Sequence, residues 1–163
     1  MGNRDFFLQQ CASEHPRFLG VLEAAPADQL DFRPHPRSRS ARELIGHLIG
    51  HELDLVELAE TGSINHRMQV PFETLDEALS LYRGAHEALA PTLARLDDNS
   101  WGAMGQFLAE GALVYEAPRC DLAWMLLFDA IHHRGQLSSY LRPMGGKVPS
   151  IYGPSADTVL APA

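Results

Sequence analysis

Lysine is nearly missing from this chain of 163 residues: Lys147 is the single example, and 13 basic residues face 21 acidic ones for a net charge of −8. No cluster of lysine and arginine supplies the basic stripe that a nucleic-acid duplex calls for, so no nucleic-acid partner is expected. Cysteine is scarce as well. Cys11 and Cys120 are too few for a disulfide framework, and a chain of this size does not need one. Both read as small buried hydrophobes. No apolar run approaches the ~20 residues of a membrane span. The opening MGNRDFFLQQ lacks a charged-then-apolar leader pattern, and Phe6 stands where a myristoylation signal wants Ser or Thr. A cytoplasmic location with no membrane partner is the default. What remains is 45% hydrophobic, enough to build one packed domain over residues 1–163.

Four segments carry helical periodicity. The first, roughly 5–24, has an apolar stripe of Phe6, Phe7, Gln10, Phe18, Leu19 and Leu22, with Pro16 predicting a kink or break. A three-proline stretch over 26–40 reads as an ordered loop. The second segment, 40–61, opens on a capping box formed by Ser40 and Glu43. Leu44, His47, Leu48, His51, Leu55 and Leu58 then share one side, and Gly62 stops the helix. The third, about 74–96, repeats the capping pattern with Thr74 and Glu77. Leu75, Leu79, Tyr82, His86, Leu89 and Leu93 form its stripe, and Pro91 offers a further kink. Residues 97–117 are irregular, with a short hairpin turning at Glu110-Gly111. The fourth segment, 119–142, carries Leu122, Leu126, Asp129, His133, Gln136 and Tyr140 on one face, ended by Pro143 and Gly145-Gly146. The tail beyond is Pro- and Gly-punctuated and reads as a packed loop. Four long amphipathic segments without a confident strand set predict an all-α fold, a four-helix bundle.

Polarity inside two of the stripes is the informative feature. Asp129 and His133 are four residues apart and point the same way; so are His47 and His51. A buried carboxylate is costly unless paired, hydrogen-bonded or bound to a cation. Facing helices of a bundle are where metal sites are built, and three N/O ligands with an open position suit Zn, Ni, Fe or Mn. The same spacing also fits a plain hydrogen bond between Asp129 and His133, or histidines satisfied at the core rim. His132 points about 100° away from His133 and reads as a surface histidine. His86 reads as core-edge, and Ser138 and Ser139 lack the Asp–His arrangement of a serine nucleophile.

The strings RELIGHLIGHE (42–52) and IHHRGQLSSYLRPMGGKVPSIYGPSAD (131–157) resemble the first ligand helix and the last helix and tail of the DinB-like family, with HRGQ its signature. The resemblance covers the whole chain in layout and is specific at 43–52 and 129–153. It implies an up-down-down-up bundle with a long connection between helices 2 and 3. It also implies a divalent metal held by three side chains at one end of the bundle cavity, and a homodimer. By position the first ligand falls on His47 and the last on His133. The middle one, usually histidine, falls on Asp129, a departure that lowers the charge of the site and favours harder ions such as Mn or Fe. His51 is the reserve third ligand. Arg134 is expected to pair with a carboxylate or helix end, and Gln136 to support the ligands. Leu48, Leu81 and Leu137, off the main stripes, are candidates for the dimer face.

The function this implies is a metal-dependent transferase or hydrolase acting on a small molecule, with a low-molecular-weight thiol as a candidate partner. A metal lowers the pKa of a bound thiol or water and so makes a nucleophile. The alternative is a non-catalytic stress-response or binding module with a structural or empty metal site. A third reading is a metal-free bundle in which Asp129 and His133 pair with each other.

Overall fold

The computed structural model describes residues 2–158; residues 159–163, the end of the tail read above as a packed loop, lie outside the described part. Its order is α1 (Asn3–Glu23), α2 (Ala41–Thr61), β1 (Ser63–His66), α3 (Leu75–Leu93), α4 (Asp98–Gly102), β2 (Met104–Ala109), β3 (Ala112–Pro118) and α5 (Arg119–Leu141). The all-α expectation is therefore wrong: a three-stranded mixed sheet, in the order β1-β2-β3, accompanies the helices. β2 and β3 form the antiparallel hairpin turning at Glu110-Gly111, with φ of 52° and 79°, the left-handed pair that a two-residue hairpin turn uses. β1 then adds in parallel to β2, Ser63 opposite Gln106 and His66 opposite Ala109. A four-residue strand is too short to show a period, and its partner lies far along the chain. Neither fact leaves a local trace.

The long helices form where periodicity places them. Ser40 caps α2 with the full box: Glu43 N donates to Ser40 Oγ at 3.1 Å, and Ser40 N donates to Glu43 Oε2 at 2.7 Å. Thr74 accepts from Glu77 N at the head of α3. α1 and α3 run unbroken through Pro16 and Pro91, so neither breaks its helix as expected for Pro16. Each of α1 and α2 packs against both α3 and α5.

Two apolar clusters occupy the two halves of this helical layer. One gathers Phe18, Leu44, Leu48, Tyr82, Leu137 and Leu141. The other gathers Phe7, Leu55, Leu89, Trp101, Leu122 and Leu126. Between them the same helices carry a polar waist: Glu14, His47, His51, Glu52, Asp54 and Arg134 are all buried. Each of these must be hydrogen-bonded, paired or bound to an ion to be tolerated there. Glu52 accepts from Tyr82 Oη at 3.0 Å and meets His86 Nδ1 at 3.3 Å, so His86 sits at the core edge. Arg134 pairs with Glu14, as the carboxylate expectation required, and Tyr152 from the tail bridges them, 2.7 Å from Arg134 Nη2 and 2.9 Å from Glu14 Oε2.

Some sequence expectations fail at the level of faces. Phe6 is exposed rather than part of the α1 stripe. Leu48 and Leu137 are fully buried and cannot line a dimer face, whereas Leu81 is exposed. Cys11 is buried, but Cys120 is only half-buried.

Candidate metal centre

α2 and α5 meet along the polar waist, and their histidines converge on one carboxylate. Asp129 Oδ2 lies 3.0 Å from His51 Nε2, 3.4 Å from His133 Nε2 and 3.8 Å from His47 Nε2. His47, Asp129 and His133, all singled out from sequence, are thus brought together, and His51 joins them. One ligand atom from each of the four falls within 4.8 Å of all the others, close enough to hold a metal ion.

Burial differs from the expected pattern. His47 and His51 are almost wholly enclosed, at 3% and 2% exposure, but Asp129 is 45% exposed and stands at the rim. The buried face of α5 is centred on Leu126, Ala130, Arg134, Leu137 and Leu141, which turns Asp129 and His133 toward its edge. His132 is exposed.

The protonation states suit a cation. Burial first, then the neighbouring His51, Arg39, His133 and His66, pushes His47 down to about 3. Burial also lowers His133, although Gln136 and Asp129 oppose the shift. The contact with His51 is the largest influence holding Asp129 at about 2, opposed by burial and aided by His133 and His47. At neutral pH His47 and His133 are therefore neutral imidazoles beside one carboxylate. His47 Nδ1 and both ring nitrogens of His51 are buried without a well-directed hydrogen-bond partner. Of these, His51 Nε2 faces Asp129 at 3.0 Å; a lone pair left unserved there is costly, and a divalent cation bound by N and O donors removes that cost. The residues present fit such an ion.

The other nitrogen of His133 is committed. Nδ1 donates to Gln136 Oε1 at 3.0 Å, Gln136 Nε2 donates to Tyr140 Oη at 3.3 Å, and Tyr140 Oη donates to the Arg39 carbonyl at 3.2 Å. This chain fixes the tautomer with the lone pair on Nε2, directed at the cluster. Gln136 thus touches His133, the contact through which the support expected of it would act.

Residues that sequence reading missed stand on the other side of the cluster. Asp54, wholly buried, binds His66 Nδ1 at 2.7 Å and Arg67 Nη1 at 2.7 Å. Asp54 is three residues from His51 on the same helix, a spacing that could have flagged it. Nothing local marks His66, which arrives on β1. It comes close because Gly46 and Gly50 let the chain after β1 lie against α2: a Cβ at these positions would sit 2.5 Å from the Val70 carbonyl and 2.6 Å from the Arg67 carbonyl.

Beside the cluster is a cavity of about 190 Å³ lined by His51, His66, Phe107, Met125, Leu126 and Asp129. Met125 and Asp129 also line a broad open groove with Trp124, Phe128, Asp121 and His132. Met125 and Asp129 thus stand where groove and cavity share their lining.

Fold and site together define a helix-dominated protein with a histidine–carboxylate cluster between two helices. Over residues 12–137 the chain matches the DinB superfamily, and it belongs to that family. Its structure is similar to a DinB-like protein from Bacillus subtilis, with 18% identity, 94% of this chain and 99% of that one covered, and a TM-score of 0.70. It is also similar to a DinB-like protein from Bacillus cereus, with 20% identity, 90% and 95% coverage and a TM-score of 0.72. A mycothiol-dependent maleylpyruvate isomerase shares the fold at 12% identity and a TM-score of 0.57, over 89% of this chain but 62% of the isomerase. A comparison with curated proteins returned no match. Among the described residues, no helix is long and apolar enough to cross a membrane.

Proposed function

We propose that the chain is a metal-dependent transferase or hydrolase acting on a small molecule, with His47, Asp129 and His133 as ligands of one divalent ion and a low-molecular-weight thiol or water as the nucleophile. The observation that carries this is the convergence of three imidazole nitrogens on Asp129 Oδ2 at the wall of a cavity. A bound cation would supply Lewis-acid chemistry, lowering the pKa of a nucleophile held there. The chain's own residues do the rest. Gln136 orients His133, Phe107 and Leu126 keep the cavity apolar, and the half-exposed Asp129 faces the groove.

A second reading draws on His51. Four protein ligands around a tetrahedral ion would close its shell, as in structural sites, and would favour a non-catalytic binding module. An ion of six-fold preference such as Mn or Fe would keep open positions even with four. The cavity bordered by both His51 and Asp129 favours the enzyme.

Elemental analysis of untagged protein tests the centre. One divalent ion per chain is expected, lost in His133→Ala and weakened in Asp129→Leu. Metal content equal to the parent in both variants would overturn the ligand assignment. Thiol-transfer assays with added Zn, Ni, Fe and Mn then separate enzyme from module. We extend the proposal to a homodimer, on family resemblance and on exposed Phe6, Leu81 and Phe128. Light scattering that returns an 18.0 kDa particle would refute it.

A further inference from the structure

We propose that the groove along α5 binds an amphipathic organic cation, with Asp121 facing an ammonium group and Trp124, Met125 and Phe128 facing the apolar body. Only its place as the outer part of a substrate rests on the cavity being a reaction site. The groove has a volume of about 590 Å³. Its lining, from Asp121 to His132, recurs at three- and four-residue steps, so it is one open face of the helix.

The aromatic floor is held in place from behind. Trp124 Nε1 donates to Asn3 Oδ1 at 3.3 Å, and the buried Phe7 meets the indole edge-on at 5.1 Å between centroids. On this fixed ring Phe128 stacks at 5.6 Å, and Phe6 approaches from α1 at 5.7 Å. Phe128 is nonetheless 62% exposed. Tyr115 reaches across from β3, its hydroxyl on the Met125 sulfur.

Charge decides which apolar molecule fits. No Lys or Arg lines the groove, whereas two aspartates do. Asp129 is engaged with three histidines. Asp121 is exposed, and among the described residues it accepts only from Cys120 Sγ, at 3.6 Å. A free carboxylate next to exposed aromatic rings favours an organic cation over a neutral or anionic molecule of the same shape. Eight residues of helix separate Asp121 from Asp129, about 12 Å. That exceeds the screening length of about 8 Å at physiological salt, so an ion at Asp129 does little to repel a cation at Asp121. The same spacing sets the reach of the substrate, with its charge about 12 Å from its reacting group.

Three probes share a phenyl ring and a four-carbon chain: 4-phenylbutylamine, 4-phenylbutan-1-ol and 5-phenylpentanoate. Each is titrated into the full chain and followed by the indole N–H signal of Trp124 in nitrogen-15 NMR, assigned from its loss in Trp124→Phe. The amine should move this signal and bind about 3- to 10-fold tighter than the alcohol, with the carboxylate weakest. Asp121→Asn should bring the amine to the affinity of the alcohol and leave the alcohol unchanged. Phe128→Ala should weaken both. Equal affinity for all three probes, tighter binding of the carboxylate, an amine preference that survives Asp121→Asn, or a Trp124 signal that no probe moves overturns the proposal. So does a second copy of the chain seated over Phe128, seen as probe binding only after dilution to monomer. Titrations before and after chelation separate this site from the metal reading. A chain that holds no ion and still prefers the amine sinks that reading and leaves the groove standing, whereas a chain that holds its ion and shows no amine preference sinks the groove alone.

Discussion

Replacing Glu14 with leucine would leave the Arg134 guanidinium inside the helical layer without its carboxylate. Arg134 is 2% exposed and Glu14 10%. Removing one partner of a buried ion pair costs roughly 3–5 kcal/mol, because the remaining charge has lost its solvation and gained nothing. Two contacts survive to soften this: Tyr152 Oη at 2.7 Å, and the Phe18 ring, 4.7 Å from Arg134 Cζ. A cation over an aromatic face recovers about 1 kcal/mol, so a loss of about 3 kcal/mol is expected. For a chain of this size that is roughly 6–12 °C in Tm. Urea unfolding followed by far-UV circular dichroism measures it, on metal-free protein so that binding does not contribute. The double variant Glu14→Leu/Arg134→Met buries no charge and should regain most of the loss. A Glu14→Leu cost under about 1 kcal/mol, or no recovery in the double variant, would refute the view that Arg134 depends on this pair.

Gln136→Leu removes the acceptor for His133 Nδ1–H at 3.0 Å and should weaken metal affinity about 10- to 100-fold, read by competition with a chromogenic chelator; unchanged affinity would contradict the orienting role. Metal-free protein should lose stability in acid. His47 titrates near 3 when folded and near 6.5 when unfolded, so the unfolded chain binds the extra proton as pH falls below 6.5. At about pH 5 this histidine alone should cost about 2 kcal/mol, and a flat stability profile between about pH 7 and 5 would count against its burial as a neutral group. The two kinds of helical glycine should respond oppositely to alanine. Gly50→Ala meets the Arg67 carbonyl at 2.6 Å and should destabilise by about 1–3 kcal/mol. Gly84→Ala meets nothing within 4 Å in α3 and should stabilise by about 0.5–1 kcal/mol. Thermal denaturation of both compares them directly.

What could be read from sequence was what depends on near neighbours. The capping box of α2, the spacing of His47 and His51, and the Glu110-Gly111 turn each lie within a few residues, and each stands in the structure as read. The face of α5 was misplaced for a definite reason. A stripe drawn through Leu122, Leu126, Asp129 and His133 leaves Arg134 off the core face, although a carboxylate or helix-end partner was expected for it. With Arg134 buried against Glu14, the core face rotates and carries Asp129 to the rim. That partner is 120 residues away along the chain and invisible to any local window. His66 escaped for the same reason, since its meaning comes from Asp54 on another element. β1 escaped because a parallel strand of four residues has no signature of its own.

The sheet has a consequence for how the site comes together. β1 begins within two residues of the end of α2, and α5 begins directly after β3, so the strands join the ends of the two helices that carry the cluster. Pairing Ser63 with Gln106 closes a loop that contains all of α3 and α4. Closing a flexible loop of that length costs about 3 kcal/mol in chain entropy. A cation held between α2 and α5, from His51 to Asp129, would close a larger loop that encloses this one. The sheet and the ion are then two nested staples, and whichever forms first spares the other part of that entropy. Occupancy of the centre should therefore be felt along strands that supply it no ligand. Amide hydrogens paired between β1 and β2 should exchange more slowly when metal is bound, while those at the free edge of β3 should change less.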